Sequence, residues 1–232
     1  MKICVIIPTL NEENNILNIF NKLKKTKIRF DLLFVDDNSR DKSRKIIKDL
    51  KNKFSYIKYI FRNNKSGIGS AHKEGISFCY KKKYDLIITM DADGSHDPKY
   101  IKPMIKALSH SDYVITTRFK KPNSLEGWPL SRKLITYSRH LFVKIFLGMN
   151  YDASGAFRCF KRNKIKLNDI LSAKNNDYAF FWEVTYNLNK IGYKIYEVPV
   201  ELIWRKLGKS KMKIRHIFYS FFYLFKIFLS NL

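Results

Sequence analysis

The feature that most constrains this chain is an alternation. Over its first half, five short runs rich in Ile and Val (residues 2–8, 31–36, 56–61, 85–90 and 113–117) are separated by stretches with helical spacing (12–25, 41–51, 68–82 and 98–109). Such continuous apolar runs read as strands buried on both faces, and each intervening helix is long enough to cross back over a sheet. The rhythm predicts a doubly wound, mostly parallel α/β sheet with helices on both faces. Asp41 is placed to cap the second helix and Pro98 to open the fourth.

From about residue 120 the alternation breaks. Residues 129–149 read as an amphipathic helix carrying Arg132, Arg139, His140 and Lys144 among Leu, Ile and Phe; 152–160 as a strand or hairpin; 179–191 as a helix; and 193–202 as a strand that Pro199 places near an edge. There is no internal repeat and no linker long enough to separate domains. One domain is expected over 1–212, followed by an amphipathic, aromatic helix over 213–232.

Forty-five Lys and Arg against twenty Asp and Glu give a net charge of +25, and 45% of the 232 residues are apolar, which excludes intrinsic disorder. A basic excess of this size suits a nucleic acid, an anionic membrane or a phosphorylated substrate. Thirty-four of the basic residues are Lys, ordinary solvated surface, so the positions of the eleven Arg carry more information. Cys4, Cys79 and Cys159 form neither a disulfide framework nor a zinc pattern, which points to a reducing compartment. The apolar run that ends at Pro8 lacks the length and cleavage site of a signal peptide.

Open α/β sheets bind ligands beyond the carboxyl ends of their strands. Three of those ends are polar: Pro8-Thr9-Leu10-Asn11-Glu12-Glu13, Val35-Asp36-Asp37-Asn38-Ser39 and Met90-Asp91-Ala92-Asp93-Gly94-Ser95-His96. Asp91 and Asp93 can aim two carboxylates at one hard cation, Mg²⁺ or Mn²⁺, with substrate phosphates completing the shell. An Asx turn closing the strand is the plain alternative. A hydrophobic-Asp-x-Asp-x-Ser run also resembles haloacid-dehalogenase-type phosphatases, but there the motif ends an opening strand, whereas here it comes mid-sheet. Lys65-Ser66-Gly67-Ile68-Gly69-Ser70-Ala71 enters a helix and fits either a phosphate-approaching turn or a merely tight one; His72 stands where a dinucleotide fingerprint needs its third Gly.

Taken together, these motifs resemble the family-two inverting glycosyltransferases of GT-A fold. Glu126-Gly127-Trp128-Pro129-Leu130-Ser131-Arg132, Ser154-Gly155-Ala156-Phe157-Arg158 and Arg205-Lys206-Leu207-Gly208-Lys209-Ser210-Lys211-Met212 are similar to the polyprenol (dolichol) phosphate mannose synthases within them. The resemblance runs from Val5 to Met212. It implies transfer of mannose from GDP-mannose to a polyprenyl phosphate with inversion, or the same reaction from UDP-glucose or UDP-N-acetylglucosamine. Pro8, Leu10, Glu12, Val35 and Asp37 would line the pocket for base and ribose, with Leu10 where the family commonly has Tyr. Asp91 and Asp93 would hold the metal, with backbone from Met90 and Ala92, and Ser95 stands where a Gln often follows. Arg118, Arg132, Thr136 and Arg205 would surround the acceptor phosphate, Arg118 and Arg205 also the donor diphosphate, and Lys211 would close over the nucleotide. The segment from Asp177 to Glu183 departs from the family at Asp177, usually Gly, and Phe181, usually Gln.

The chemistry agrees with that division. An acceptor phosphate is already anionic near pH 7, its second pKa being ~6, so it needs positioning and cations rather than a strong base. Arg118, Arg132, Arg158, Arg205 and Lys211 read as the anion site; the five His form no triad or metal spacing and read as surface or supporting residues. Residues 202–232 hold seven basic residues and no acid, and their aromatic run 217–229 spans ~20 Å as a helix against a hydrocarbon core of ~30 Å. That suits a helix lying in the interface of an anionic bilayer rather than one crossing it. A core or dimer helix is the alternative. The expected location is the cytoplasmic face of a membrane, peripherally attached, without nucleic acid as a partner.

Overall fold

A computed structural model describes residues 1–202, 211 and 214–230. Seven strands, β1 (Ile3–Thr9), β2 (Asp31–Asp36), β3 (Ile57–Phe61), β4 (Leu86–Thr89), β5 (Tyr113–Thr117), β6 (Arg158–Lys161) and β7 (Ile195–Pro199), form one sheet in the order β3-β2-β1-β4-β6-β5-β7. All neighbouring pairs are parallel except those of β6, which runs antiparallel between β4 and β5. The crossovers are α1 (Ile16–Lys25), α2 (Ser43–Lys53), α3 (Ile68–Lys81) and α4 (Ile101–Ala107), the last preceded by a 3₁₀ turn over Pro98–Tyr100. The second half adds α5 (Leu130–Leu147), α6 (Leu167–Leu171), α7 (Phe180–Ile191) and α8 (Ile214–Leu229).

β1 explains why both faces are covered. Ile3, Val5 and Ile7 join α1, α2 and α4 in one core, whereas Cys4 and Ile6 join α3, α6 and α7 in another, as the two-residue period of a strand requires. Pro8 pairs with Val35 and Ile6 with Thr89, so the exits of β1, β2 and β4 open at one edge of the sheet. Because β6 is reversed, Arg158 lies opposite Thr89, and the loop that enters β6 reaches the same edge.

The expected elements appear with local differences. α2 begins at Ser43 with Lys42 at its cap position, but Asp41 still accepts the Ser43 N–H at 2.9 Å, and it accepts the Glu13 N–H as well. Pro98 opens its turn, with Asp97 accepting from the Lys99 N–H. β7 lies at the sheet edge, bonded to β5. The five-residue α6 has no counterpart in the sequence reading.

α8 packs on α5 and α7 through a third cluster that includes Val143, Trp182 and Leu224. Trp182 Nε1 donates to Ser220 Oγ at 3.1 Å and the Tyr223 hydroxyl to Glu183 Oε1 at 2.8 Å. Among the described residues, no helix is long and apolar enough to cross a membrane.

Candidate active site

The crevice at the strand exits is a cavity of about 560 Å³. At one end β1 and β2 contribute Pro8, Leu10, Glu12 and Asp37. Glu12 accepts from Asn15 Nδ2 at 2.7 Å, and Lys211 reaches across to it, Nζ lying 3.8 Å from Glu12 Oε1 and donating to the Asn11 carbonyl at 2.9 Å. Lys211 thus lies at the same end as Glu12. Val35, by contrast, is fully buried in the core and does not line the cavity.

Asp37 is buried with both oxygens engaged. Oδ1 accepts from Arg62 at 2.7 Å and from the Ser66 N–H at 2.9 Å; Oδ2 accepts the Gly67 N–H at 3.0 Å. It thereby holds the glycine turn, which packs tightly against a neighbouring segment. A Cβ on Gly67 would lie 2.4 Å from the Asn176 carbonyl, and one on Gly69 2.6 Å from Phe180 Cβ. Both glycines are needed for close approach to the 176–180 segment, although Lys65, Ser66 and Gly67 also line the cavity.

β4 delivers Asp91, Ala92 and Asp93 to the cavity wall, whereas the Met90 side chain is buried in the core. The Asp91 N–H donates to His96 Nδ1 at 2.9 Å. Burial depresses the His96 pKa to about 4, with Asp93 opposing and Arg118 assisting, so the ring is neutral at pH 7 and its Nδ1 is free to accept. Asp93 Oδ1 accepts both the Ser95 N–H (3.0 Å) and its hydroxyl (2.6 Å). Ser95 thus orients Asp93. Two carboxylates on one short loop form an oxygen donor set that fits a hard divalent cation sharing its shell with phosphates.

The cavity also has a cationic part. Arg118 is buried, and Asp152 Oδ2 accepts its backbone N–H at 2.8 Å and its Nε at 2.7 Å, while Oδ1 accepts from NH2. Ser154 Oγ accepts from NH2 at 2.5 Å. Burial works against both charges, but each partner outweighs it for the other: the Arg118 pKa stays above its usual value and the Asp152 carboxyl below. Glu197 in turn accepts the Asp152 N–H at 2.6 Å and pairs with Lys120. Arg132 and Thr136 from α5 line the same cavity. Arg205 lies outside the described residues.

Arg158 does not line the cavity. Its guanidinium donates to the carbonyls of Ala153, Gly155 and Phe181 and to the Tyr113 hydroxyl, at 2.5 to 2.8 Å, bracing the loop before β6 from behind. Sequence reasoning missed Asp152, Arg139 and, from α8, Arg215 and His216, the last three of which line the cavity. Asp152 carried one signal, its place two residues before Ser154-Gly155; the others carried none.

The model of the family described as "Glycosyl transferase family 2" matches residues 4–167. The chain belongs to glycosyl transferase family 2. As a family-two glycosyltransferase it is 30% identical over 213 residues to the undecaprenyl-phosphate mannosyltransferase of Micrococcus luteus, covering 91% of this chain and 88% of that protein. It is 27% identical over 211 residues to the polyprenol monophosphomannose synthase of Mycolicibacterium smegmatis, covering 90% and 80%. In shape this glycosyltransferase is similar to the glucosyl-3-phosphoglycerate synthase of Mycobacterium tuberculosis, solved with Mn²⁺, UDP and glucosyl-3-phosphoglycerate, with a TM-score of 0.63. That likeness, at 14% identity over 99% of this chain and 79% of the other, speaks for the GT-A fold alone.

Proposed function

We propose that this glycosyltransferase moves mannose from GDP-mannose to a polyprenyl phosphate with inversion. The observation that carries the reading is that one cavity brings together the carboxylates Asp91 and Asp93 and the groups Arg118, Arg132 and Thr136. The names of the Micrococcus and Mycolicibacterium relatives support the lipid acceptor and the sugar.

The acceptor phosphate oxygen would attack the anomeric carbon as the bond to the donor diphosphate breaks, and attack from the face opposite the leaving group inverts the centre. The nucleophile is already ionised, so no side chain has to remove a proton. Arg118 and Arg132 position the acceptor and offset the repulsion between two anions, with Thr136 offering a hydroxyl. Asp91 and Asp93 would hold Mg²⁺ or Mn²⁺, which neutralises charge on the departing diphosphate. Glu12, Asp37 and Leu10 would receive the nucleoside, with Lys211, and in the same reading Arg205, on its phosphates.

The membrane is the proposed second partner. Leu130, Leu134, Tyr137, Leu141 and Ile145 recur at helical spacing along α5, each between 52% and 73% exposed. α8, packed alongside, exposes Ile214, Phe218, Phe222 and Phe225. Two parallel apolar stripes amid an acid-free basic segment suit an anionic lipid surface. In this reading residues 1–212 form the catalytic domain and 213–232 the interfacial helix, held at the cytoplasmic face of the membrane beside its lipid substrate.

The test supplies labelled GDP-mannose, UDP-glucose or UDP-N-acetylglucosamine with polyprenyl phosphate and Mg²⁺ or Mn²⁺, then extracts into organic solvent. Lipid-soluble label from GDP-mannose is the expected result. Label from a UDP-sugar instead would move the donor, and none from any donor would overturn the reaction. Asp91→Ala and Asp93→Ala should each lower the rate by about 100-fold or more.

A further inference from the structure

The cationic part of the cavity carries a guanidinium whose own partners do not complete it. Arg132, Thr136 and Arg139 fall at i, i+4 and i+7 of α5, so they share one face of the helix, and all three line the cavity with Arg118. Arg139 Nε is buried with no hydrogen-bond partner among the described residues. Burial, with repulsion from Arg118 and Arg132, pulls its pKa down to about 10; Asp152 opposes this but is itself forked to Arg118. Arg139 is therefore still charged at neutral pH. A guanidinium N–H held out of water without an acceptor is destabilising, and such a group is retained where a ligand oxygen completes it.

We propose that Arg139 is an additional anion ligand of the cavity, binding a phosphate oxygen of the lipid acceptor alongside Arg118 and Arg132. This rests on the lipid-phosphate reading given above. The acceptor is favoured over the donor because of what else α5 carries. Arg139 shares its helix face with Arg132 and Thr136, the two groups that the reading above gives to the acceptor phosphate, while the same helix presents Leu134, Tyr137 and Leu141 to solvent on its opposite face. In that reading the donor diphosphate belongs with Asp91 and Asp93. Arg158, with four hydrogen bonds to carbonyls and a hydroxyl, shows what a structural Arg looks like in this protein, and Arg139 does not share that pattern.

The full chain would be assayed with acceptor and donor varied separately, as wild type, Arg139→Gln and Arg139→Lys. The Gln variant should raise the acceptor KM about tenfold or more while the donor KM stays within about twofold, and Lys should recover part of the loss. It should also melt at a higher temperature, whereas loss of a purely structural cation would lower the melting point. An unchanged acceptor KM, or a rise in donor KM instead, overturns the proposal. Calorimetry with inorganic phosphate as probe gives a second arm that needs no turnover: wild type should bind it about tenfold or more tightly than Arg139→Gln. If wild type moves no sugar to lipid phosphate, the reaction reading fails, yet this arm still decides Arg139, and equal binding by the two proteins overturns its role.

Discussion

Asp152 Oδ2 accepts two hydrogen bonds from one residue, the backbone N–H of Arg118 at 2.8 Å and its Nε at 2.7 Å. The carboxylate thus fixes both where the Arg118 chain passes and which way its guanidinium fork points. Removing one partner of a buried pair strands the other charge, so Asp152→Ala should cost about 3–5 kcal/mol of stability in urea melts. A loss under about 1 kcal/mol would mean that water reaches the pair.

The same pair sets a pH signature. The folded Asp152 carboxyl lies below its usual value, because the Arg118 charge and hydrogen bonds outweigh burial. Its contribution is therefore present above the unfolded pKa of ~3.9 and fades as pH falls through the lower folded value. The stability difference between wild type and Asp152→Asn should be flat from about pH 7 to about pH 5 and shrink below about pH 4. A difference that persists undiminished to about pH 2 would contradict an ionised Asp152.

Ser95 donates its hydroxyl to Asp93 Oδ1 at 2.6 Å. Loss of such an orienting contact typically weakens metal binding by 10–100-fold. Ser95→Ala should accordingly raise the Mg²⁺ or Mn²⁺ concentration for half-maximal activity by about tenfold or more, with kcat at saturating metal changed less. Metal titrations of the two proteins check this.

The glycine turn predicts a steric cost. A Cβ at position 69 would press against Phe180 Cβ at 2.6 Å and the Asp177 carbonyl at 2.8 Å. Gly69→Ala should destabilise by about 1–3 kcal/mol, seen as a lower denaturation midpoint at unchanged slope.

Leu134 and Leu141 touch solvent rather than core. Replacing both with Glu should leave the melting temperature within a few degrees of wild type while binding to anionic phospholipid vesicles in sedimentation falls about tenfold or more. Unchanged vesicle binding would assign the α5 stripe to something other than a bilayer.

β1 to β5 could be placed from sequence within two residues, because each is a short run rich in apolar residues, buried on both faces in all but the edge strand β3, a signal that needs no tertiary information. β6 could not be bounded as well. Its four residues Arg158-Cys159-Phe160-Lys161 have no distinctive period, and they are a strand because β4 and β5 flank them. Asp91 and Asp93 were legible as a strand-end pair. Arg139 and Arg158 were not distinguishable, since both are arginines among apolar residues. Only packing turns one into the cavity and ties the other to carbonyls. His96 is a similar case: its acceptance of the Asp91 N–H depends on burial that no spacing reveals.

The reversal of β6 has a consequence for how such an enzyme can diverge. In a wholly parallel sheet only the segments that leave strands face the binding edge, so every change there also disturbs the nucleotide and metal end. Here the segment that enters β6, carrying Asp152, Ser154 and Gly155, reaches the edge from the other direction. Insertions or exchanges between α5 and β6 can therefore remodel one part of the cavity while the exits of β1, β2 and β4 stay as they are. Under the proposed function, that leaves the acceptor end open to change while the metal end is kept.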